Sequence, residues 1–175
     1  MAAVMFEQVP WTDERAVALQ RILEEDLHSR YARHLQPGPR RDAALSALAV
    51  DPDDVLATVL AVSAEAGPVA HAALRSLNGE WEVKRVVVLE SERGRGIASM
   101  LMGEIEATAA RGGASRVILQ TGDQQPEAVA LYTKLGYTPI PVYEPYATAI
   151  PFSFCFEKRL VTRSPWFARS VRREV

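Results

Sequence analysis

Two glycines set between arginines form the segment of this chain with the clearest chemical potential. Residues 93–99 read Arg-Gly-Arg-Gly-Ile-Ala-Ser and come shortly after the apolar stretch Val86 to Val88. A strand that turns into a helix exposes unpaired N–H groups, and the helix dipole adds about half a positive charge there. Glycines let the backbone approach a phosphate, while arginines add charge-assisted donors. The segment therefore predicts a pyrophosphate site at a helix start.

The residues around these glycines exclude two common nucleotide motifs. A P-loop requires Lys followed by Ser or Thr at the helix start, and a dinucleotide fingerprint requires a third Gly and an acidic residue about 20 positions later. Residues 93–99 meet neither requirement. The Arg-Gly-Arg-Gly motif is weak by itself, because a tight turn with solvated arginines fits it equally well.

The rest of the chain predicts a mixed α/β domain with a largely antiparallel sheet. Asn78-Gly79 is its strongest turn signal. Pro126 suits the first turn of a helix that Gly136 ends. Residues 41–50 form a weaker helical pattern, which a mobile loop explains equally well. The predicted strands cover residues 4–9, 55–64, 68–77, 81–89, 116–120, 137–143 and 152–160, and the other predicted helices begin near residue 12 and at residue 94.

Length and composition favour one globular domain. The chain has 175 residues, of which 48% are hydrophobic and 24% charged, with a formal net charge of -2. We expect a single domain over residues 1–160 and a polar, basic tail over residues 161–175. The near-neutral charge favours neither nucleic acid nor an anionic membrane as a partner.

Cysteine and histidine usage argues against disulfide and metal chemistry. Cys155 is the only cysteine and lies in an alternating strand pattern, so we expect a packed thiol rather than a nucleophile. His28, His34 and His71 lack ligand spacing, so no metal site is predicted. The sequence has neither a signal-peptide pattern nor an apolar run of membrane-spanning length. The expected compartment is therefore cytoplasmic.

Three segments in the right order resemble the GNAT N-acetyltransferase superfamily. Residues Arg93-Gly94-Arg95-Gly96-Ile97-Ala98 resemble its acetyl-CoA signature, (Gln/Arg)-x-x-Gly-x-(Gly/Ala). Residues 82–88 resemble the strand before that loop, and residues 127–137 resemble the helix and strand start that complete the cofactor site. The resemblance implies the GNAT fold: α/β, with a mixed, mostly antiparallel seven-stranded sheet flanked by about four helices.

The resemblance also implies that acetyl-CoA (coenzyme A) is the cosubstrate. The backbone of Val86, Val87 and Val88 is expected to pair with the pantetheine arm, and the Val86 N–H to polarise the thioester carbonyl. Gln125 stands where many relatives carry Asn, which leaves that side-chain contact with the cofactor open. The pyrophosphate is expected at the helix start formed by Arg93, Gly94, Arg95, Gly96, Ile97, Ala98 and Ser99.

Two residues are implied to be catalytic. Tyr132 aligns with the tyrosine that protonates the departing thiolate in many relatives, and a packed aromatic is its alternative role. Glu82 aligns with the basic glutamate of histone-acetylating relatives, which makes it a base or an amine-binding carboxylate; the alternative is an exposed strand residue with a structural role. A base is needed because only about one alkyl ammonium in a thousand is neutral near pH 7. Trp81 and Val83 are expected to point to the face opposite Glu82.

The acceptor is expected to bind opposite the cofactor, between the first helices and the last hairpin. Acidic and aromatic groups there would suit a cationic amine through charge and cation–π contact. The candidates are Glu24, Glu25, Asp26, Tyr31, Tyr143, Glu144 and Tyr146.

The predicted function is acetyl transfer from acetyl-CoA to the primary amine of a small molecule, by direct attack in a ternary complex, with neither a metal nor a covalent enzyme intermediate. Two alternatives stay open. One is a non-catalytic acyl-CoA-binding or regulatory module, and the other is an acetyltransferase acting on a protein amine. Edge strands at the C-terminal hairpin make a homodimer plausible.

Overall fold

A computed structural model describes residues 4–33 and 36–161 of the chain. Residues 162–175 of the predicted tail, and His34, lie outside these ranges. The strands are β1 (Val4–Val9), β2 (Val55–Ser63), β3 (Gly67–Leu77), β4 (Glu80–Val88), β5 (Arg116–Thr121), β6 (Thr138–Ile140) and β7 (Phe154–Arg159). The helices are α1 (Glu14–Tyr31), α2 (Pro39–Leu48), α3 (Ile97–Arg111), α4 (Pro126–Lys134) and α5 (Tyr146–Ala149).

The seven strands form one sheet that divides near its middle. Its order is β1-β2-β3-β4-β5-β7-β6, and each neighbouring pair is antiparallel except β4 and β5. The parallel pair is aligned only at Glu82 with Ile118 and at Val83 with Leu119. Beyond these residues β4 continues along β3 to Val88, while β5 continues along β7 to Thr121. The predicted mixed, mostly antiparallel sheet is confirmed, and it opens into a gap between the ends of β4 and β5.

Helices cover both faces of the sheet. On one face, α3 buries Leu101, Met102 and Ile105 completely, in a cluster that also contains Val117 and Leu119 of β5. On the other face, α1 packs against β2 and β4, while α2, α5 and β7 share a second cluster. None of the helices within the described ranges is long and apolar enough to cross a membrane.

Trp81 fixes the end of α3 through a contact that only glycine permits. A Cβ added to Gly112 would lie 2.3 Å from Cη2 of the Trp81 indole. Trp81 and Val83 both pack in the α3 cluster, so they point away from Glu82 as predicted. The face of β4 that carries Glu82 is therefore the one covered by α2 and α5.

The structure corrects several predicted boundaries. α3 begins at Ile97 rather than at residue 94, because Gly94 and Gly96 have φ angles of 77° and 78°. β6 covers only three residues, since Pro139 within it and Pro141 just after it lack N–H donors. The weak pattern at residues 41–50 is a helix, α2, and α5 occupies a segment predicted as a loop.

Candidate active site

A β-bulge lies in β4 where the sheet opens. His71 pairs with Val87 and Ala73 with Lys84, so Arg85 and Val86 together face one residue of β3. Arg85 adopts the left-handed conformation, with φ of 56°. Bulges re-aim the strand and leave one residue without a ladder partner. This bulge turns β4 away from β5 at the residue, Val86, that the sequence assigns to the thioester carbonyl.

His71 holds the bulge in place. Its Nδ1 donates to the backbone carbonyl of Arg85 at 2.7 Å, which leaves Nε2 to accept from the Gln20 amide at 3.2 Å. The ring is fully buried, and burial lowers the pKa of His71 below its ordinary value of 6.5. The neutral imidazole is therefore a structural clamp between α1, β3 and the bulge. The histidine spacing in the sequence gave no sign of this role.

The predicted pyrophosphate loop lies at the start of α3. Gly96 is the N-cap in the left-handed conformation, and no side chain within residues 4–33 and 36–161 caps the helix. Its first N–H groups therefore have no intrahelical acceptor. Arg93, Gly94, Arg95 and Gly96 are exposed, with Arg95 paired to Glu92 and Arg93 Nε 3.3 Å from the Val88 carbonyl. Exposed donors at a helix start are what a pyrophosphate requires.

A cavity of about 830 Å³ continues from the gap between β4 and β5. It is bounded by α1, α2, the β4 bulge, the end of β5, the start of α4 and the segment that leads into β7. Three predicted site residues line it together: Val86, Gln125 and Tyr132. Val87 and Val88 continue along β4 towards the α3 loop, so the predicted cofactor residues follow one path from the cavity to the helix start.

Tyr132 presents a protonated hydroxyl to the cavity. Its ring packs between Tyr137 and Phe156, with ring centroids 5.6 and 6.2 Å away. Among the described residues its hydroxyl makes no hydrogen bond, and burial alone raises the pKa of Tyr132 well above its ordinary value. The side chain is packed, as the alternative reading expected, and it also lines the cavity.

Glu82 is buried rather than exposed, so the alternative of an exposed strand residue is wrong. Its Oε2 accepts from Arg75 Nε at 2.6 Å, and its Oε1 accepts from the hydroxyls of Tyr143 and Tyr146 at 2.9 and 2.8 Å. The carboxylate is fully buried and does not line the cavity. This placement does not favour the predicted roles of base or amine ligand, because an acceptor in the cavity has no direct contact with Glu82.

Lys84 is the cavity residue that the sequence reasoning missed. It lies two residues after Glu82, so it shares that face of β4, and this spacing was the available signal. Only 6% exposed, it lines the cavity and donates to Tyr146 at 2.8 Å. Burial lowers the pKa of Lys84 from 10.5 to about 8, against the attraction of the Glu82 carboxylate.

α1 is anchored across the cavity to the start of α4. Arg30 forms salt bridges with Asp26 and Glu127 and donates to the Gln124 carbonyl at 3.0 Å. The Tyr31 hydroxyl accepts from the Gln124 N–H at 3.1 Å. These contacts hold one wall of the cavity in place.

The predicted acceptor residues divide into two groups. Glu24, Glu25 and Tyr31 line the cavity. Asp26, Tyr143, Glu144 and Tyr146 do not, since Asp26 pairs with Arg30, Glu144 binds Thr148, and both tyrosines bind Glu82. In the part of the chain that the structure describes, no group of three or more His, Cys, Asp or Glu residues is arranged to hold a metal ion. The Cys155 thiol is buried as predicted, and burial raises its pKa.

Comparison with known proteins identifies the family. Residues 17–137 match the acetyltransferase (GNAT) family, which is more than half of the chain. The chain belongs to the GNAT family. It is 36% identical over 88 residues to an "IAA acetyltransferase" of Azospirillum brasilense, covering 50% of this chain and 57% of that protein. It is 39% identical over 70 residues to the uncharacterized N-acetyltransferase YjcF of Bacillus subtilis strain 168, covering 40% of this chain and 48% of the relative. The matches therefore span about half the length of these curated GNAT relatives.

Solved structures confirm the GNAT fold. A Klebsiella pneumoniae protein named for acyl-CoA N-acyltransferase activity superposes with a TM-score of 0.73 at 25% identity, over 91% of this chain and 99% of that one. PaiA N-acetyltransferase of Thermoplasma acidophilum, solved with coenzyme A, gives a TM-score of 0.61 at 16% identity, over 89% and 99% of the two chains. Membership of the GNAT family supports the predicted enzyme class, an acyltransferase.

Proposed function

We propose that this GNAT protein transfers an acetyl group from acetyl-CoA to the primary amine of a small molecule, by direct attack in a ternary complex. The observation that carries the proposal is the bulged, unpaired edge of β4 facing the Tyr132 hydroxyl across one cavity. A backbone edge for the thioester and a proton donor for the thiolate are two requirements of that reaction. We also propose the domain limits that the sequence predicts, residues 1–160 with a tail at 161–175.

The chain offers coenzyme A a continuous set of backbone donors. Val86 to Val88 would hold the pantetheine arm, as an added strand is held in a sheet. The N–H groups of Ile97, Ala98 and Ser99, with Arg93 or Arg95, would hold the pyrophosphate. Acetyl-CoA supplies the activated acetyl group. The coenzyme A complex of the PaiA neighbour, which has the same fold, supports this cosubstrate.

Tyr132 and Glu82 have different roles in this proposal. The acceptor ammonium gives one proton to water, and the neutral amine attacks the thioester carbonyl. Tyr132, which burial keeps protonated, donates a hydrogen bond to the departing thiolate, and the second proton of the amine passes to that thiolate directly or through the Tyr132 hydroxyl. Glu82 acts as a positioning residue: paired with Arg75, it holds Tyr146, and Tyr146 in turn contacts Lys84 in the cavity wall.

The test combines binding, turnover and one matched pair of variants. We expect calorimetry to detect coenzyme A binding and a thiol-release assay with a panel of amines to give intersecting steady-state lines. Tyr132→Phe should lower kcat by about 10²- to 10⁴-fold without changing the Kd for coenzyme A. Tyr137→Phe is the control, since it removes a neighbouring hydroxyl that does not line the cavity. Equal activity of the two variants would contradict the role of Tyr132.

A second measurement separates a base from a positioning residue at Glu82. If Glu82 positions Tyr146, Glu82→Gln lowers the rate but keeps the shape of the pH profile. Loss of the acidic limb of that profile would instead assign the proton transfer to Glu82. Coenzyme A binding without turnover on any amine would favour the alternative of a non-catalytic acyl-CoA-binding module.

A further inference from the structure

The wall of the cavity contains a buried ammonium, Lys84, that the protein neutralises only in part: its Nζ lies 5.1 Å from the centroid of the Tyr146 ring, and the Glu82 carboxylate attracts it from beyond salt-bridge distance. Lys84 makes one hydrogen bond among the described residues, to Tyr146, and has no carboxylate within salt-bridge distance there. The nearby Glu82 carboxylate is already paired with Arg75 at 2.6 Å. An ammonium group has three donors, so two N–H bonds of Lys84 remain for a ligand. A buried charge without a partner is costly, and an anion in the cavity would remove that cost.

Two buried hydroxyls on the same wall also lack partners. Thr121 Oγ1 and Ser153 Oγ are buried without a hydrogen bond in the described part of the chain, and both residues line the cavity. Thr121 pairs with Phe154 in the ladder between β5 and β7, which places Ser153 beside it. Buried hydroxyls are normally hydrogen-bonded, and these two, which have almost no accessible surface, would reach a polar ligand in the cavity only after rotation about χ1.

The remaining charges on the cavity wall have a small positive excess, with Arg21, Arg41 and Arg85 against Glu24 and Glu25. Arg21 of α1 and Arg41 of α2 line the cavity, and neither forms a salt bridge among the described residues. Of the two lining carboxylates, Glu24 is engaged with Arg85 at 3.3 Å, and Glu25 is exposed on α1. The cavity wall is therefore less acidic than the sequence predicted for a cationic amine.

We propose that the acceptor amine also carries an anionic group, a carboxylate or a phosphate, and that Lys84 binds it. This inference rests on the proposed function, because the anion site is the acceptor end of the same cavity. Arg41 contributes positive potential at the wall, and rotation of the Thr121 and Ser153 hydroxyls would add donors. Amino acids or phosphorylated amines are therefore better acceptors than plain alkyl amines of the same shape.

Binding of charged and neutral probes tests the anion site without relying on turnover. With the protein saturated by coenzyme A, phenylacetate and inorganic phosphate are compared with phenylacetamide in thermal unfolding. We expect at least one anion to raise the Tm and the amide to have no effect. Lys84→Met should abolish the difference, while the exposed-lysine control Lys134→Met keeps it. The two anions distinguish a carboxylate site from a phosphate site.

Kinetics then measures the preference with matched acceptors. The pairs are L-leucine with 3-methylbutylamine, L-phenylalanine with 2-phenylethylamine, and phosphoethanolamine with ethanolamine. A hydrogen bond to a charged group contributes about 1.5–3 kcal/mol, so we expect kcat/KM to favour the anionic member of at least one pair by about 10- to 100-fold. In Lys84→Met the ratio of kcat/KM for the anionic acceptor to that for its neutral partner should fall to near one, because the KM of the anionic acceptor rises. Lys84→Arg should restore part of that ratio.

Several results would overturn the proposal. One is that neither anion raises the Tm, and another is that the amide raises it as much as the anions do. A third is that the preference for anionic acceptors over neutral ones persists in Lys84→Met. An equal loss of activity on both members of every pair would also overturn it, because it would indicate a base rather than an anchor. If Lys84→Met does not fold, Lys84→Gln is used in the same comparison. Coenzyme A binding is measured on the same samples, so a failure of the proposed function is recognised separately.

Discussion

Replacing Lys84 by methionine should stabilise the ligand-free protein at neutral pH. Folding lowers the pKa of Lys84 from its ordinary 10.5 to about 8, mainly because burial disfavours the ammonium. At about 1.4 kcal/mol per pKa unit, keeping this group charged in the folded state costs about 3 kcal/mol. The methionine side chain is also unbranched, so it can occupy the space of the lysine side chain without introducing a charge. For a chain of this size, we expect the Tm of Lys84→Met to rise by about 6 to 12 °C.

The pH dependence of stability separates the effect of the Lys84 charge from an effect of packing, which should not vary with pH. Because the folded pKa is depressed, the unfolded chain binds more protons between about pH 8 and 10.5. The stability of the wild type therefore rises with pH across that window. The advantage of Lys84→Met is full below about pH 8 and should shrink to about half near pH 9.5.

The assay is chemical denaturation at about pH 7 and at about pH 9.5, in a buffer free of carboxylate and phosphate. Lys134→Met is the matched control, since Lys134 is exposed on α4 and its removal should change little at either pH. The reasoning would be refuted if Lys84→Met were less stable than the wild type at both pH values. A gain that is the same at both pH values would also refute it, because the gain would then come from packing.

Three further predictions concern the contacts that shape the site. Gly112→Ala should lower the free energy of unfolding by about 3 kcal/mol in a urea titration, because the new Cβ would lie 2.3 Å from the rigid indole of Trp81. Arg75→Met should cost about 3–5 kcal/mol by the same measurement, since it leaves Glu82 buried without its cation. His71→Leu should reduce kcat by loosening the bulge. It should also flatten the loss of stability below about pH 6.5, because the depressed pKa of His71 makes acid favour the unfolded chain.

Each of these variants has a control in the same protein. Gly103→Ala, in open space on α3, should be neutral or stabilise by about 1 kcal/mol, and an equal effect at Gly112 would contradict the steric argument. Arg111→Met breaks an exposed ion pair with Glu104 and an exposed hydrogen bond to Thr108, so it should cost less than about 1 kcal/mol. His28→Leu removes an exposed histidine instead of a buried one, and it is the matched control for the stability measurement.

Local signals in the sequence were enough to place most of the sheet and the helices. Asn78-Gly79 forms the tight connection between β3 and β4, and Pro126 begins α4 as predicted. These signals act through the φ angles of one or two residues, so they need no tertiary information. The start of α3 was misplaced because Gly94 and Gly96, read as helical, are the turn before it.

The surroundings of Glu82 could not be read in the same way. Alternation along β4 predicts which face the side chain takes, but not what covers that face. Its partners Tyr143 and Tyr146 lie 61 and 64 residues away in sequence. Tyr146 begins α5, which has only four residues and therefore no periodicity to detect, and Tyr143 lies in the loop before that helix. An exposed carboxylate and a buried, paired one have the same sequence pattern on β4.

Three consecutive residues of β4 connect cosubstrate and acceptor recognition. In the proposed site, Lys84 binds the acceptor anion, Arg85 forms the bulge that His71 clamps, and the Val86 N–H faces the thioester. Residues along a strand advance about 3.3 Å each, so these two recognition points are about 7 Å apart along the backbone. This spacing favours acceptors whose amine and anion are separated by only a few bonds. A displaced bulge should therefore weaken acetyl transfer and the preference for anionic acceptors together, which makes His71→Leu a test of whether the two depend on one element.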